Sequence, residues 1–345
     1  MPKSLPPLSA MIERFVVPYL ERPWPLDPEA LFGRRAPLTL EIGFGNGAFL
    51  ADQALRHPER DHLGIEIAWG SVDFLLRRAW REDLHNLRIL RLDARFVLES
   101  LLPANAFERV WVNHPDPWPK ERHHGRRLIQ RPFLEALQAV MAPGARLTIA
   151  TDHADYAVWI GRELEAQPWF VSELETTEVP ELPDHVVTKY QRKAREQGIG
   201  NHFFVWKKIA PDAPARPRQE VPPVPNVTFD GAYGDADLLA GFEPNRIVEL
   251  HEGVEVVVGM ERAWRAADGG SWMVECLVKE GAHSQQVGLI VVRGEKGRLA
   301  VKTSSIGHPR GTWGVKRAVR RLASIIAARN PELALVSSNV GDIGT

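Results

Sequence analysis

Between residues 38 and 208, short apolar runs alternate with segments whose apolar positions recur at helical spacing. No other feature of the chain restricts the fold as much. Leu38-Thr39-Leu40-Glu41-Ile42 reads as a strand, Gly43-Phe44-Gly45-Asn46-Gly47 as a turn, and residues 48–56 as a helix. Further strands are expected at 62–67, 87–92, 109–113 and 146–150, with closing strands at 170–173 and 202–206. Helices are expected at 70–84, around 96–102, at 127–141 and at 156–166. In the helix at 70–84, Phe74, Leu75 and Trp80 take the apolar side. The helix at 127–141 should stop at Pro143-Gly144. Repeated βα units of this kind build a mostly parallel sheet with helices on both faces.

The remaining organisation follows from composition. A chain of 345 residues can bury two cores. Residues 209–226 are dominated by proline and alanine, which form neither a sheet nor a regular helix, so a semi-rigid linker is expected there. The expected organisation is a first domain at 1–208, the linker at 209–226 and a small α+β domain at 227–345. The last has strands at 246–260, 272–278, 287–292 and 299–303 and a helix at 315–328. No apolar run approaches the roughly 20 residues that span a bilayer. The prolines of MPKSLPPLSAMIERF occupy the place of a signal core. The single cysteine, Cys276, excludes an intramolecular disulfide and a cysteine zinc site. A cytoplasmic protein without a membrane association or a metal is expected, and nothing implies an obligate protein partner. The net charge of −1 requires that any nucleic-acid contact be local. One stretch is suitable: Lys120, Arg122, His123, His124, Arg126 and Arg127 stand together, interrupted by the single acid Glu121.

The glycine turn lies where a strand hands over to a helix, the position at which open α/β sheets bind ligands. By itself it is ambiguous, because Gly43-x-Gly45-x-x-Ala48 also satisfies a dinucleotide fingerprint. Glu66, at the end of the second strand, serves a ribose in either case. The spacing of Gly43, Gly45 and Gly47, with Glu41 ahead of it and Asp93 ending the third strand, resembles class I methyltransferases. A donor without phosphate meets no repulsion from these acids, whereas a pyrophosphate beside Glu41 would.

The fourth strand runs into Asn113-His114-Pro115-Asp116-Pro117-Trp118-Pro119-Lys120. Its prolines fix the path of the chain and hold Asp116 at the mouth of the sheet. The run Pro115–Leu128 resembles the signature of the tRNA (guanine-N7)-methyltransferase family. Agreement covers roughly residues 35–208, including Thr151-Asp152-His153-Ala154-Asp155-Tyr156 and Thr188-Lys189-Tyr190. The resemblance implies a class I, Rossmann-like catalytic domain with a seven-stranded, mostly parallel sheet. It implies S-adenosyl-L-methionine as donor and N7 of guanine-46 in the tRNA variable loop as acceptor. It further implies that Glu41, Gly43, Gly45, Gly47, Glu66, Asp93 and Asp116 surround the donor, with Asp116 catalytic. Lys120, Asp152, Thr188, Lys189, Tyr190 and Gln191 would then contact substrate, and Arg122, Arg126 and Arg127 would meet RNA. This chain departs from the family pattern at His114, where an apolar aromatic is usual, and at Glu121 and Gly125, which replace common lysines. Gln191 replaces a frequent glutamate and keeps only the acceptor part of its role.

N7 of neutral guanine carries a lone pair and no proton, so alignment with the methyl group suffices and no base is required. A nicotinamide oxidoreductase is the runner-up from the glycine turn alone, and a non-catalytic RNA-binding protein is a third reading. The resemblance is expected to end at the linker. Beyond it, Lys316, Arg317, Arg320 and Arg321 share a helix with an apolar stripe of Val315, Val319, Leu322 and Ile326. That pattern suits either an accessory RNA contact or a packing helix with a solvated basic face.

Overall fold

The computed structural model describes residues 5–183, 200–231, 238–267, 269–293, 298–304 and 309–343. The chain divides into two compact units, one comprising Met1–Tyr19 and Trp24–Gln219, the other Leu20–Pro23 and Glu220–Thr345.

The first unit is built on seven strands: β1 (Leu38–Ile42), β2 (Asp61–Ile65), β3 (Leu87–Leu90), β4 (Phe107–Asn113), β5 (Met141–Thr151), β6 (Phe170–Ser172) and β7 (His202–Lys208). Their order is β3-β2-β1-β4-β5-β7-β6; β1 to β5 run parallel, and β7 runs antiparallel to both neighbours. Every residue of β1 and β2 is buried, as expected of parallel strands covered on both faces. The helices are α1 (Leu8–Phe15), α2 (Pro28–Phe32), α3 (Ala48–Arg56), α4 (Trp69–Arg81), α5 (Ala94–Phe96), α6 (Arg131–Val140) and α7 (Ala154–Glu165). Leu50, Val72, Leu75, Leu76 and Ala79 from α3 and α4 pack with Met11 and Phe15 of α1. Each of these side chains except Ala79 contributes roughly 1.5–3 kcal/mol on burial. Because β1 leads outward to β2 and β3 while β4 lies on its other side, the chain reverses between β1 and β4. The crevice at their carboxyl ends is the topological switch point.

Several boundaries differ from the sequence expectation. The helix expected at 127–141 begins at Arg131, after a 3₁₀ segment at Glu121–Arg126. Pro143-Gly144 lies inside β5, where a register shift and a Gly144 φ of 76° absorb the irregularity. The segment around 96–102 is α5 followed by a π-helical turn, Val97–Leu101. Phe74 points away from the apolar side of α4 and is 65% exposed, whereas Val72 and Leu76 are buried.

The second unit is a seven-stranded antiparallel sheet with one helix. Its strands are β8 (Asn226–Asp230), β9 (Asn245–His251), β10 (Val254–Arg265), β11 (Ser271–Glu280), β12 (His283–Arg293), β13 (Leu299–Thr303) and β14 (Ala334–Ser338), ordered β14-β8-β13-β12-β11-β10-β9. Residues 246–260, expected as one strand, form a hairpin; Glu252 and Gly253 have φ of 49° and 80°, as a tight primed turn requires. Strands β8 and β14 were not foreseen. The helix α8 (Trp313–Arg329) buries Val315, Val319, Leu322 and Ile326, the expected stripe, in a core with Val256, Val274 and Leu289. On its basic side Arg317 makes a bidentate ion pair with Glu249. Buried Arg310 donates from Nη1 to the Arg22 carbonyl at 2.8 Å and from Nη2 to the Glu220 carbonyl at 3.1 Å. Among the described residues no helix is long and apolar enough to cross a membrane.

Candidate active site

The turn after β1 uses its glycines for conformation. Gly43, Gly45 and Gly47 have φ of 71°, 53° and 70°, where a side chain is disfavoured. A Cβ on Gly47 would also lie 2.6 Å from Leu75 of α4, whereas Gly43 and Gly45 face open space. Glu66, just past β2, ties the turn down. Its Oε2 accepts from the Gly45 amide at 3.0 Å, and its Oε1 accepts from the Ile67 and Ala68 amides at 2.8 and 2.9 Å. The acid expected to meet a ribose therefore also fixes the shape of the loop.

Glu41, on β1, is only 1% exposed. Asn113, at the end of the neighbouring strand β4 and two positions beyond Trp111, the residue paired with Glu41, donates from Nδ2 to Glu41 Oε1 at 2.9 Å, while Glu41 Oε2 makes no well-formed hydrogen bond. Burial chiefly pushes the carboxyl up to about 8, against the lowering effect of the Asn113 amide. Asp93, exposed beyond β3, caps α5: its Oδ1 accepts from the Arg95 and Phe96 amides at 2.9 and 3.2 Å. Glu41, the three glycines, Glu66 and Asp93 thus stand at the carboxyl ends of β1, β2 and β3.

The segment after β4 is held in a strained path. His114 and Trp118 have φ of 51° and 42°, a region that bulky residues enter at a cost of about 1–3 kcal/mol each. Between them, Asp116 is exposed and has no hydrogen bond or ion pair among the described residues. Arg127 accounts for the shape. Its Nε donates to the Pro117 carbonyl at 2.9 Å, and its guanidinium lies 5.1 Å from the Tyr156 ring centre and 4.8 Å from that of Trp159. Arg127 is 5% exposed, and its Nε and guanidinium are engaged with Pro117, Tyr156 and Trp159 inside the protein, unlike the rest of the basic run. Lys120, Arg122 and Arg126 are exposed, and Arg126 lies over Trp118 at 5.0 Å. His114 Nδ1 is 3.7 Å from Asp152 Oδ1, which brings the end of β5 beside the Asp116 segment. Thr188, Lys189, Tyr190 and Gln191 lie outside the described residues.

The sequence expectation passed over Asn113 as a site residue and Tyr156 and Trp159 as the rings that receive Arg127. The i, i+3 spacing of those two aromatics on α7 was the available signal for the second.

A family model described as a putative methyltransferase matches residues 35–204. A tRNA (guanine-N(7)-)-methyltransferase of Alkalilimnicola ehrlichii is 44% identical over 182 residues, covering 52% of this chain and 77% of the relative. One from Thermus thermophilus is 34% identical over 324 residues, covering 92% of this chain and 98% of the relative. One from Thermotoga maritima is 30% identical over 308 residues, covering 89% and 94%. The last two alignments continue past the proline-rich segment into the second unit. They overturn the expectation that the resemblance ends there. The chain belongs to the tRNA (guanine-N(7)-)-methyltransferase family.

Proposed function

We propose that this chain transfers the methyl group of S-adenosyl-L-methionine to N7 of guanine-46 in the variable loop of tRNA. The observation that carries the reading is Asp116: an exposed carboxylate on a strained segment, pinned from behind by Arg127, beside the switch point.

The residues present fit the donor. Glu41, Glu66 and Asp93 ring the glycine turn, an arrangement suited to a ligand with ammonium and hydroxyl donors and unsuited to a pyrophosphate. Glu41 Oε2 is a buried acceptor without a well-formed hydrogen bond, and Gly43 and Gly45 leave space for close approach. When bound, the donor supplies an electrophilic methyl group. The chain's own part is to hold the base. Asp116 accepts hydrogen bonds from N1–H and the exocyclic amine of guanine, orienting N7 and stabilising the positive charge that methylation leaves on the ring. Asp152 is the second candidate for this contact, and Lys120, Thr188, Lys189, Tyr190 and Gln191 are further substrate contacts. Lys120, Arg122 and Arg126 neutralise phosphates around a base drawn out of its tertiary contacts. Trp118 or Tyr190 provides a stacking surface.

The test is methylation of unmodified tRNA transcripts with labelled donor, followed by mapping of the modified nucleoside. N7-methylguanosine at position 46, absent when that guanosine is replaced by adenosine, supports the reading; methylation at another position or base ends it.

A further inference from the structure

Asn113 and Glu41 carry two buried polar atoms that the fold leaves unsatisfied. One hydrogen bond joins the two side chains, from Asn113 Nδ2 to Glu41 Oε1 at 2.9 Å, yet Asn113 Oδ1 and Glu41 Oε2 are both buried without a well-formed hydrogen bond, the Leu50 backbone amide being only a loose neighbour of the carboxyl. The side chains belong to residues 9% and 1% exposed, on adjacent strands. Leaving a buried acceptor bare forfeits its hydration without replacing it. Both atoms are acceptors, so what the pair lacks is a donor. Two kinds of donor fit. A proton on Glu41 Oε2 turns one acceptor into a donor, and a ligand ammonium group offers N–H bonds from outside. The two are alternatives, because a neutral carboxyl has no charge to offer a cation.

Without ligand the balance favours the proton. Burial raises the Glu41 carboxyl to about 8, and Glu66 from the end of β2 adds to the rise; the Asn113 amide and the Leu50 backbone amide on α3 oppose it. Glu66 is the charged group acting on this carboxyl among the described residues.

We propose that Asn113 is a positioning residue of the donor site: it orients the buried Glu41 carboxyl, which is protonated when the site is empty, and eases release of that proton when the ammonium-bearing methyl donor enters. The step breaks the Glu41 O–H bond, passes the proton to bulk buffer and leaves a carboxylate that accepts N–H from the ligand. No covalent bond to the ligand forms, and no electrons are transferred. The proposal rests on S-adenosyl-L-methionine being the donor.

The experiment is calorimetry of S-adenosylhomocysteine binding to the full chain at pH 6, 7 and 8, in buffers of different ionisation enthalpy. The expected result is close to one proton released per ligand at pH 6 and 7 and about half near pH 8. Affinity should rise about tenfold from pH 6 to 7. Glu41→Gln should bind more weakly, release no proton and show no such pH dependence. Asn113→Ala should move the midpoint of the affinity profile to higher pH, since the amide that favours the carboxylate is gone. A purely structural asparagine would lower affinity equally at every pH. Ligand binding by the unaltered chain without proton release overturns the proposal, whether or not the variants fold. An unmoved midpoint in folded Asn113→Ala does the same. Failure of the folded, unaltered chain to bind S-adenosylhomocysteine at all overturns the donor reading itself, and this inference with it.

Discussion

Arg127 Nε donates to the Pro117 carbonyl oxygen at 2.9 Å, from a guanidinium that lies against the rings of Tyr156 and Trp159. A residue within a basic run thus acts as the backing of the segment that presents Asp116. Arg127→Lys keeps the charge but loses the planar stacking and the directed hydrogen bond. Turnover should fall by about 10–100-fold through misplacement of the Asp116 segment, with S-adenosylhomocysteine affinity nearly unchanged. Single-turnover rates beside calorimetric affinities check this; unaltered turnover in a folded variant would remove the assigned role.

Asp116→Ala should reduce methyl transfer by at least about 10²–10³-fold and leave donor binding within a few-fold. Asp116 has no internal hydrogen bond or ion pair among the described residues, so thermal stability should hardly change. Rates, ligand affinity and melting temperature measured on one preparation distinguish a lost contact from a damaged fold.

Gly47→Ala combines a φ of 70° with a Cβ placed 2.6 Å from Leu75. Strain and overpacking together should destabilise the chain by about 2–4 kcal/mol. Urea denaturation followed by tryptophan fluorescence reads the loss.

Glu41 gives the ligand-free protein a signed pH dependence. Its folded value, about 8, exceeds the ordinary carboxyl value, so the folded state holds a proton that the unfolded state has released. Stability therefore declines as pH rises through this window and levels off above about 8. Buried His62 and His283, both lowered to about 4, act in the opposite sense, but only below the ordinary histidine value near 6.5. Between pH 6.5 and 8 the unaltered chain should lose stability relative to Glu41→Gln, by on the order of 2 kcal/mol. Parallel melts of the two proteins across that interval are the measurement; parallel curves would contradict the assignment.

Lys120→Ala and Arg122→Ala should each weaken tRNA binding across all tRNA sequences and lower the salt dependence by roughly one unit of slope. Binding titrations between 50 and 200 mM salt, roughly the range in which phosphate contacts are most visible, provide the test. Arg127, being buried, should leave the salt slope unchanged when replaced by Lys.

What the chain displayed locally could be read from it, and what depended on distant contacts could not. β1 and α3 fall where the sequence put them, because the alternating Leu38, Leu40 and Ile42 run directly into three glycines that separate strand from helix. With the strands located, Glu41, Glu66, Asp93 and Asp116 were found at strand ends. The hairpin at Glu252-Gly253 was missed because the apolar alternation continues through it and Glu252 is an ordinary residue in an unusual conformation. Exposed Phe74 escaped because a small error in helical phase moves a residue between faces. Arg127 is decided by rings about 30 positions later, and the Asn113–Glu41 pair joins residues 72 apart only because β4 lies beside β1.

The bond from Arg310 to the Arg22 carbonyl sets a schedule for biosynthesis. The second unit includes Leu20–Pro23, and its partner for that short piece lies 288 positions later. At ribosomal rates of about 5–20 residues per second, the piece waits roughly 15–60 s for Arg310 to be made. The first unit can complete its sheet during that interval, whereas the second must close around a segment made long before the rest of it.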